Sequence, residues 1–137
     1  MSYPLVAAAV LTFGIGVAHS YFGERFILIR LLRRADLPRL LESDTFTKRI
    51  LRFAWHLTTI AWFGLGALLL VLAGEVGGSA PSSGALVSGT RSLEQWIGLV
   101  IAATFATSAV VTAAASRFRH PAWPVFSLVA VLTWIGV

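Results

Sequence analysis

The sequence predicts an all-α membrane protein, an antiparallel four-helix transmembrane bundle. Of its 137 residues, 57% are hydrophobic and 12% are charged, against about a quarter charged in soluble domains. Residues 53–73 form an apolar stretch whose one ionisable residue is His56, and a bilayer core requires about 20 such residues. Comparable stretches recur along the chain. Residues 1–137 are therefore predicted to form a single transmembrane domain with spans at about 4–24, 53–73, 95–116 and 121–137.

The first span is followed by a basic segment. No positive region precedes its apolar run, so we expect the span to be retained rather than cleaved as a signal peptide. Its helix is expected to continue into the interface, because arginines on an apolar helix can reach lipid headgroups. Pro38 is placed to begin a short amphipathic helix, and Ser43 or Asp44 to cap the second long helix. Residues 33–50 are thus predicted to be a structured basic loop.

A glycine- and serine-rich loop at residues 74–92 is predicted to separate the second and third spans. Ser92, with Gln95 three residues later, has the pattern of a capping box, so a third helix is predicted to begin there. This helix should run to about Ser116. The fourth span is short, and it reaches a sufficient length only if its helix begins by Pro121.

The distribution of lysine and arginine predicts the orientation of the spans. Of the 11 lysines and arginines, all but Arg91 fall between the first and second spans or between the third and fourth. Because cytoplasmic loops carry an excess of Lys and Arg, these two connections are predicted to be cytoplasmic. Both termini and residues 74–92 then lie on the non-cytoplasmic side of a bacterial-type inner (plasma) membrane.

This orientation brings all three histidines of the chain to the cytoplasmic face. A histidine inside a span is costly when it faces lipid, so we expect it to face protein, water or a ligand. His19 also lies on a stripe of small residues, in which Gly16 and Gly23 leave room for a neighbouring backbone, a metal or a flat cofactor. The alternative is that this stripe serves tight helix packing and that His19 is simply hydrogen-bonded to a neighbour.

The candidate site residues follow from this placement. Those for cofactor binding are His19, His56, Gly16 and Gly23, and those for metal binding are His19, His56, His120 and Glu24. On an unbroken helix Glu24 lies about 140° around the axis from His19, so the two cannot ligate one ion unless the helix unwinds at Gly23. An ion pair of Glu24 with Arg52 or with another arginine of the basic loop is the favoured alternative.

The second helix carries a cationic face that ends in a histidine. Arg49, Arg52, His56 and Thr59 follow one another at helical spacing. An anionic headgroup or ligand could use this face. The alternative is that the arginines reach lipid phosphates while His56 is hydrogen-bonded across the bundle.

Several function classes are disfavoured by the composition. The chain has no cysteine, which excludes disulfides, thiolate metal sites and iron–sulfur clusters. No residues resemble a nucleophile with its base, a glycine-rich phosphate loop or paired hydrolase carboxylates, so no catalytic residue is predicted and an enzyme is disfavoured. The net charge of +5 is attributed to cytoplasmic loops rather than to nucleic-acid binding.

The predicted function is therefore that of a small polytopic membrane protein. Its cytoplasmic-side polar pocket, around His19 and His56, would bind a cation, a transition metal or a cofactor such as haem in transport or redox work. The alternative is a non-catalytic structural or assembly subunit that packs against copies of itself or a larger membrane partner. In both cases the lipid bilayer is a partner of the chain.

Overall fold

The computed structural model describes residues 1–38, 43–78 and 91–137, and the chain so described is 85% helical with no strand. It contains four helices: α1 (Tyr3–Leu31), α2 (Asp44–Gly78), α3 (Leu93–Ser116) and α4 (Ala122–Gly136). The first three are long and apolar enough to cross a membrane, and α4 is a shorter apolar helix. The all-α class is thus confirmed, and three helices are compatible with a membrane protein. The number of passes, the antiparallel order and the sides of the termini stay predictions.

Helix α1 changes its hydrogen-bonding pattern near the end. Its α-helical part, Tyr3–Phe22, passes into a π-helical segment, Gly23–Leu28, before the last α-helical residues, Ile29–Leu31. A π-helical turn takes in an extra residue and re-aims the side chains that follow it. The sequence did not predict this segment.

Side chains cap two of the helices as the sequence predicts. At the start of α2 the Phe46 N–H donates to the Ser43 hydroxyl at 3.3 Å. At the start of α3 the Gln95 N–H donates to the Ser92 hydroxyl at 3.4 Å, and the Ser92 N–H donates to the Gln95 side chain at 3.1 Å. These bonds satisfy backbone donors that have no partner inside a helix.

Two boundaries differ from the sequence-based expectation. Residues 74–78, expected in the glycine-rich loop, form the end of α2, because extending an existing helix adds one hydrogen bond for each residue fixed. Residues 79–90 lie outside the described residues. Pro38 is not helical, and residues 39–42, where the short amphipathic helix was expected, are also outside the described chain.

The chain forms two compact units, and the first comprises Met1–Thr12 and Leu65–Val137. Helices α3 and α4 pack together in it, with the rings of Phe105 and Phe126 5.9 Å apart. The start of α1 is held by hydrogen bonds from the Ser2 N–H to the Ala73 carbonyl at 2.8 Å and from the Ser2 hydroxyl to the Gly136 carbonyl at 3.1 Å.

The second unit, Phe13–Gly64, is a pair of helix segments from α1 and α2. Gly16 and Gly23 are buried, and aromatic side chains of α2 lie directly against them. Large apolar side chains such as Val17, Phe53 and Ile60 point outward and are 57%, 61% and 63% exposed. Apolar surface on this scale is typical of a protein that contacts lipid or another apolar partner.

Candidate functional site

A chain of four polar side chains joins α1 to α2 within the second unit. The Ser20 hydroxyl lies 2.7 Å from Nδ1 of His56, and Nε2 of His56 lies 3.4 Å from Oε2 of Glu24. The other carboxylate oxygen of Glu24, Oε1, lies 2.9 Å from Nη2 of Arg52. Both ring nitrogens of His56 and both oxygens of Glu24 are therefore engaged. We call these four residues the polar site.

Helical spacing explains why the four side chains meet. Ser20 and Glu24 are four residues apart on α1, and Arg52 and His56 are four residues apart on α2, so each pair projects from one face of its helix. Glu24 is the second residue of the π-helical segment. The polar site is half-buried, since the side chains of Glu24 and His56 are 32% and 36% exposed.

Thr59 adds a buried hydroxyl on the same face of α2. It is 6% exposed, and its Oγ1 has no hydrogen-bond partner in the described residues. It lines a groove of about 530 Å³ together with Ser20, Glu24 and His56. A buried hydroxyl without a partner costs free energy unless water or a ligand satisfies it. The wall of the groove beside His56 thus includes a buried hydroxyl that the described residues leave without a partner.

His19 has different surroundings from His56. Its Nε2 lies 3.1 Å from the Thr58 hydroxyl, and its ring stacks on Trp55 with centroids 4.5 Å apart and planes within 5°. The ring edge of Trp62 lies at 4.9 Å. In addition, Nε1 of Trp55 donates to the backbone carbonyl of His19 at 3.2 Å. These partners of His19 differ from Ser20 and Glu24, the two described partners of His56.

The small-residue groove beside His19 is filled by the chain itself. A Cβ on Gly16 would lie 2.7 Å from Cε1 of Phe63, and one on Gly23 would overlap the indole of Trp55. The two glycines therefore permit close packing of α2 side chains against α1, which is the packing alternative given above for this stripe.

The candidate metal ligands are placed in different surroundings. In the structure Glu24 contacts His56 and also forms the expected ion pair with Arg52. His120 precedes α4 in the first unit, where its Nδ1 accepts a hydrogen bond from the Ala122 N–H at 3.2 Å. Within residues 1–38, 43–78 and 91–137, no group of three or more His, Cys, Asp or Glu side chains could hold a metal ion.

No match was found in the comparisons. No protein-family model matches this chain, and neither a curated protein nor a solved structure matches it. The proposed function therefore rests on the geometry of the polar site.

The polar site has the residue types of a hydrolytic triad but not its setting. Ser20 lies within the α-helical part of α1, so its backbone N–H is used as an intrahelical donor and is not free to stabilise an oxyanion. The hydroxyl is also bonded to Nδ1 of His56 and the carboxylate to Nε2, the reverse of the usual arrangement in serine proteases. The polar site therefore lacks the geometry of a serine-protease triad.

Sequence reasoning missed some residues of this region. It assigned Ser20 no role at the site, although Ser20 and Glu24 are four residues apart and share a helix face. The roles of Trp55 and Trp62 had no comparable signal, because their contacts with His19 join residues 36 or more positions apart.

Proposed function

We propose that this chain is a multi-pass inner-membrane protein that exchanges protons at the polar site as part of transport or redox work. The supporting observation is that His56 is hydrogen-bonded at both ring nitrogens, to a hydroxyl on one side and to a carboxylate on the other. A serine hydroxyl can donate or accept. Rotation of the Ser20 O–H therefore accommodates both the neutral and the charged imidazole.

In the neutral state Nε2–H of His56 donates to Glu24 while the Ser20 hydroxyl donates to Nδ1. In the charged state Nδ1–H donates to the Ser20 oxygen, and the bond to Glu24 is unchanged. Arg52 balances the charge of Glu24 at 2.9 Å, which lowers the cost of keeping a carboxylate near apolar surroundings. Water in the adjoining groove, whose wall includes Thr59, would give the proton its route.

A proton is also the cation that this arrangement favours over a metal ion or a haem iron. A metal bound to His56 would displace Ser20 or Glu24, and a metal on Glu24 would compete with Arg52 for the carboxylate. His19, Gly16 and Gly23 position α2 against α1 in this proposal. The Lys and Arg distribution supports a cytoplasmic-side position for the site in this proposal.

The test is nitrogen NMR of the ring of His56 in protein labelled with ¹⁵N-histidine and reconstituted in nanodiscs. We expect the Nε2 signal to show an attached proton, because Nε2–H donates to Glu24 in both states of the proposal. In liposomes carrying a pH-sensitive dye, His56→Gln and Thr59→Val should each slow proton flux. His120→Gln is the matched control.

An Nε2 signal without an attached proton, or proton flux unaffected by His56→Gln, would refute the proposal. A double-mutant cycle adds a separate test of the sequence-based prediction that His19 and His56 share one site. Because their described partners differ, we expect the stability losses of His19→Ala and His56→Ala to add. A large interaction energy would confirm the shared site, and additive losses would refute it.

The structural or assembly subunit is the second candidate, and a specific observation favours it. The contacts of His19 with Thr58 and Trp55 join α1 to α2 without leaving a ligand-sized space at Gly16 or Gly23. Such a subunit would co-purify at fixed stoichiometry with a membrane partner or a second copy. The His56→Gln variant would then assemble and function normally.

A further inference from the structure

A second cavity, of about 750 Å³, lies in the Phe13–Gly64 unit near the start of α2. Four cationic side chains line it, Arg33, Lys48, Arg49 and Arg52, along with apolar side chains that include Ile29 and Phe53. We call it the basic cavity. Its volume falls in the range of about 300–1,000 Å³ that ligand sites occupy.

Two of the four cationic side chains form ion pairs with carboxylates. Arg52 pairs with Glu24, the one carboxylate among the described lining residues, at 2.9 Å, and Lys48 pairs with Asp44 at 2.9 Å. In residues 1–38, 43–78 and 91–137, no carboxylate lies within ion-pair distance of Arg33 or Arg49. Two guanidinium groups therefore line the basic cavity with no described counter-charge.

We infer that the basic cavity binds a phosphate group through Arg33 and Arg49, carried either by a lipid headgroup or by free phosphate. The planar guanidinium matches phosphate oxygens in two parallel hydrogen bonds. The apolar wall formed by Ile29 and Phe53 suits the part of an amphiphile next to its phosphate. The cavity also lies where the apolar stretch of α2 begins, at the expected level of headgroups.

This site differs from the proton-exchanging one and does not rest on it. Arg33 and Arg49 take no part in the described contacts of Ser20, His56 or Glu24. Variants of these arginines can therefore be made without altering a hydrogen bond of the polar site. Loss of phosphate binding and loss of proton exchange are separable results.

The experiment uses the full chain in dodecyl maltoside, a detergent without phosphate. Phosphatidylglycerol is titrated in and bound lipid is counted by native mass spectrometry; inorganic phosphate is titrated separately and followed by ³¹P NMR. Since a Lys or Arg near an anionic surface contributes about fivefold to affinity, each single variant, Arg33→Gln or Arg49→Gln, should bind about fivefold more weakly. The double variant should bind about thirtyfold more weakly.

The matched control is Arg30→Gln with Arg119→Gln, which removes the same charge from exposed positions outside the cavity. It should bind like the wild type, and far-UV circular dichroism confirms that all variants are folded. Lipid binding that phosphate does not displace identifies a headgroup, and saturable binding of phosphate identifies the free anion. Equal weakening in both double variants, or no saturable binding of either probe, would overturn the inference.

Discussion

Replacement of Gly23 by alanine tests the close packing beneath the polar site. Gly23 is buried, and a Cβ there would overlap the indole ring of Trp55. That ring cannot move freely, because it stacks on His19 at 4.5 Å and donates a hydrogen bond to the His19 carbonyl at 3.2 Å. The added methyl group must therefore displace Trp55 and weaken both contacts.

The size of the effect follows from these contacts. Overpacking a filled site costs about 1–3 kcal/mol. Loss of a hydrogen bond inside a membrane protein costs about 0.6 kcal/mol, and loss of a stacked pair about 0.5–1.5 kcal/mol. Alanine recovers about 1 kcal/mol of helix propensity relative to glycine. The net expectation for Gly23→Ala is a destabilisation of about 1–4 kcal/mol.

The assay is unfolding by a titration of sodium dodecyl sulfate in mixed micelles, followed by far-UV circular dichroism. Gly14→Ala is the control on the same helix, because Gly14 is exposed and a Cβ there would meet nothing within 4 Å. It should be neutral or stabilising by up to about 1 kcal/mol. In a Trp55→Ala background, Gly23→Ala should lose its penalty. If Gly23→Ala and Gly14→Ala were equally stable, the packing argument would be wrong.

Three further predictions follow from other parts of the chain. Gly16→Leu should reduce the yield of folded protein on size exclusion far more than Val17→Leu, because Gly16 is buried against Phe63 while Val17 is 57% exposed; equal tolerance would contradict this. A thiol reagent that cannot cross the membrane should label Ser83→Cys in intact cells, and labelling only after permeabilisation would reverse the predicted topology. The Arg34 guanidinium, hydrogen-bonded to Asp36, holds the pKa of that carboxyl below its usual value of 3.8. The pair therefore stabilises the fold above that pH and loses its effect as pH falls through the lowered pKa. Carboxyl NMR of Arg34→Gln should show the Asp36 pKa moving back towards 3.8.

Much of the architecture could be predicted from the sequence, because the signals are local. The apolar stretches identify three helices long enough to cross a membrane. The capping residues Ser43, Ser92 and Gln95 act on backbone groups three residues away, so chain-local chemistry is sufficient to place those helix ends. An ion pair of Glu24 with Arg52 or another loop arginine was also expected, since opposite charges at the ends of adjoining apolar stretches avoid lipid by pairing, and the structure shows the pair with Arg52.

The composition of the site was decided by the tertiary structure. The sequence showed that Gly16 and Gly23 permit a neighbouring group to approach α1 closely. It did not determine which side chain occupies that space. Trp55 fills the space at Gly23, which fixes how α2 packs against α1 there. Ser20 and His56 are 36 positions apart in the sequence. They meet because α1 and α2 pack together with their polar residues, spaced four apart on each helix, facing each other. Such a pairing depends on the rotation and register of the two helices. These are set by many packing contacts along both helices, so no short stretch of sequence determines them.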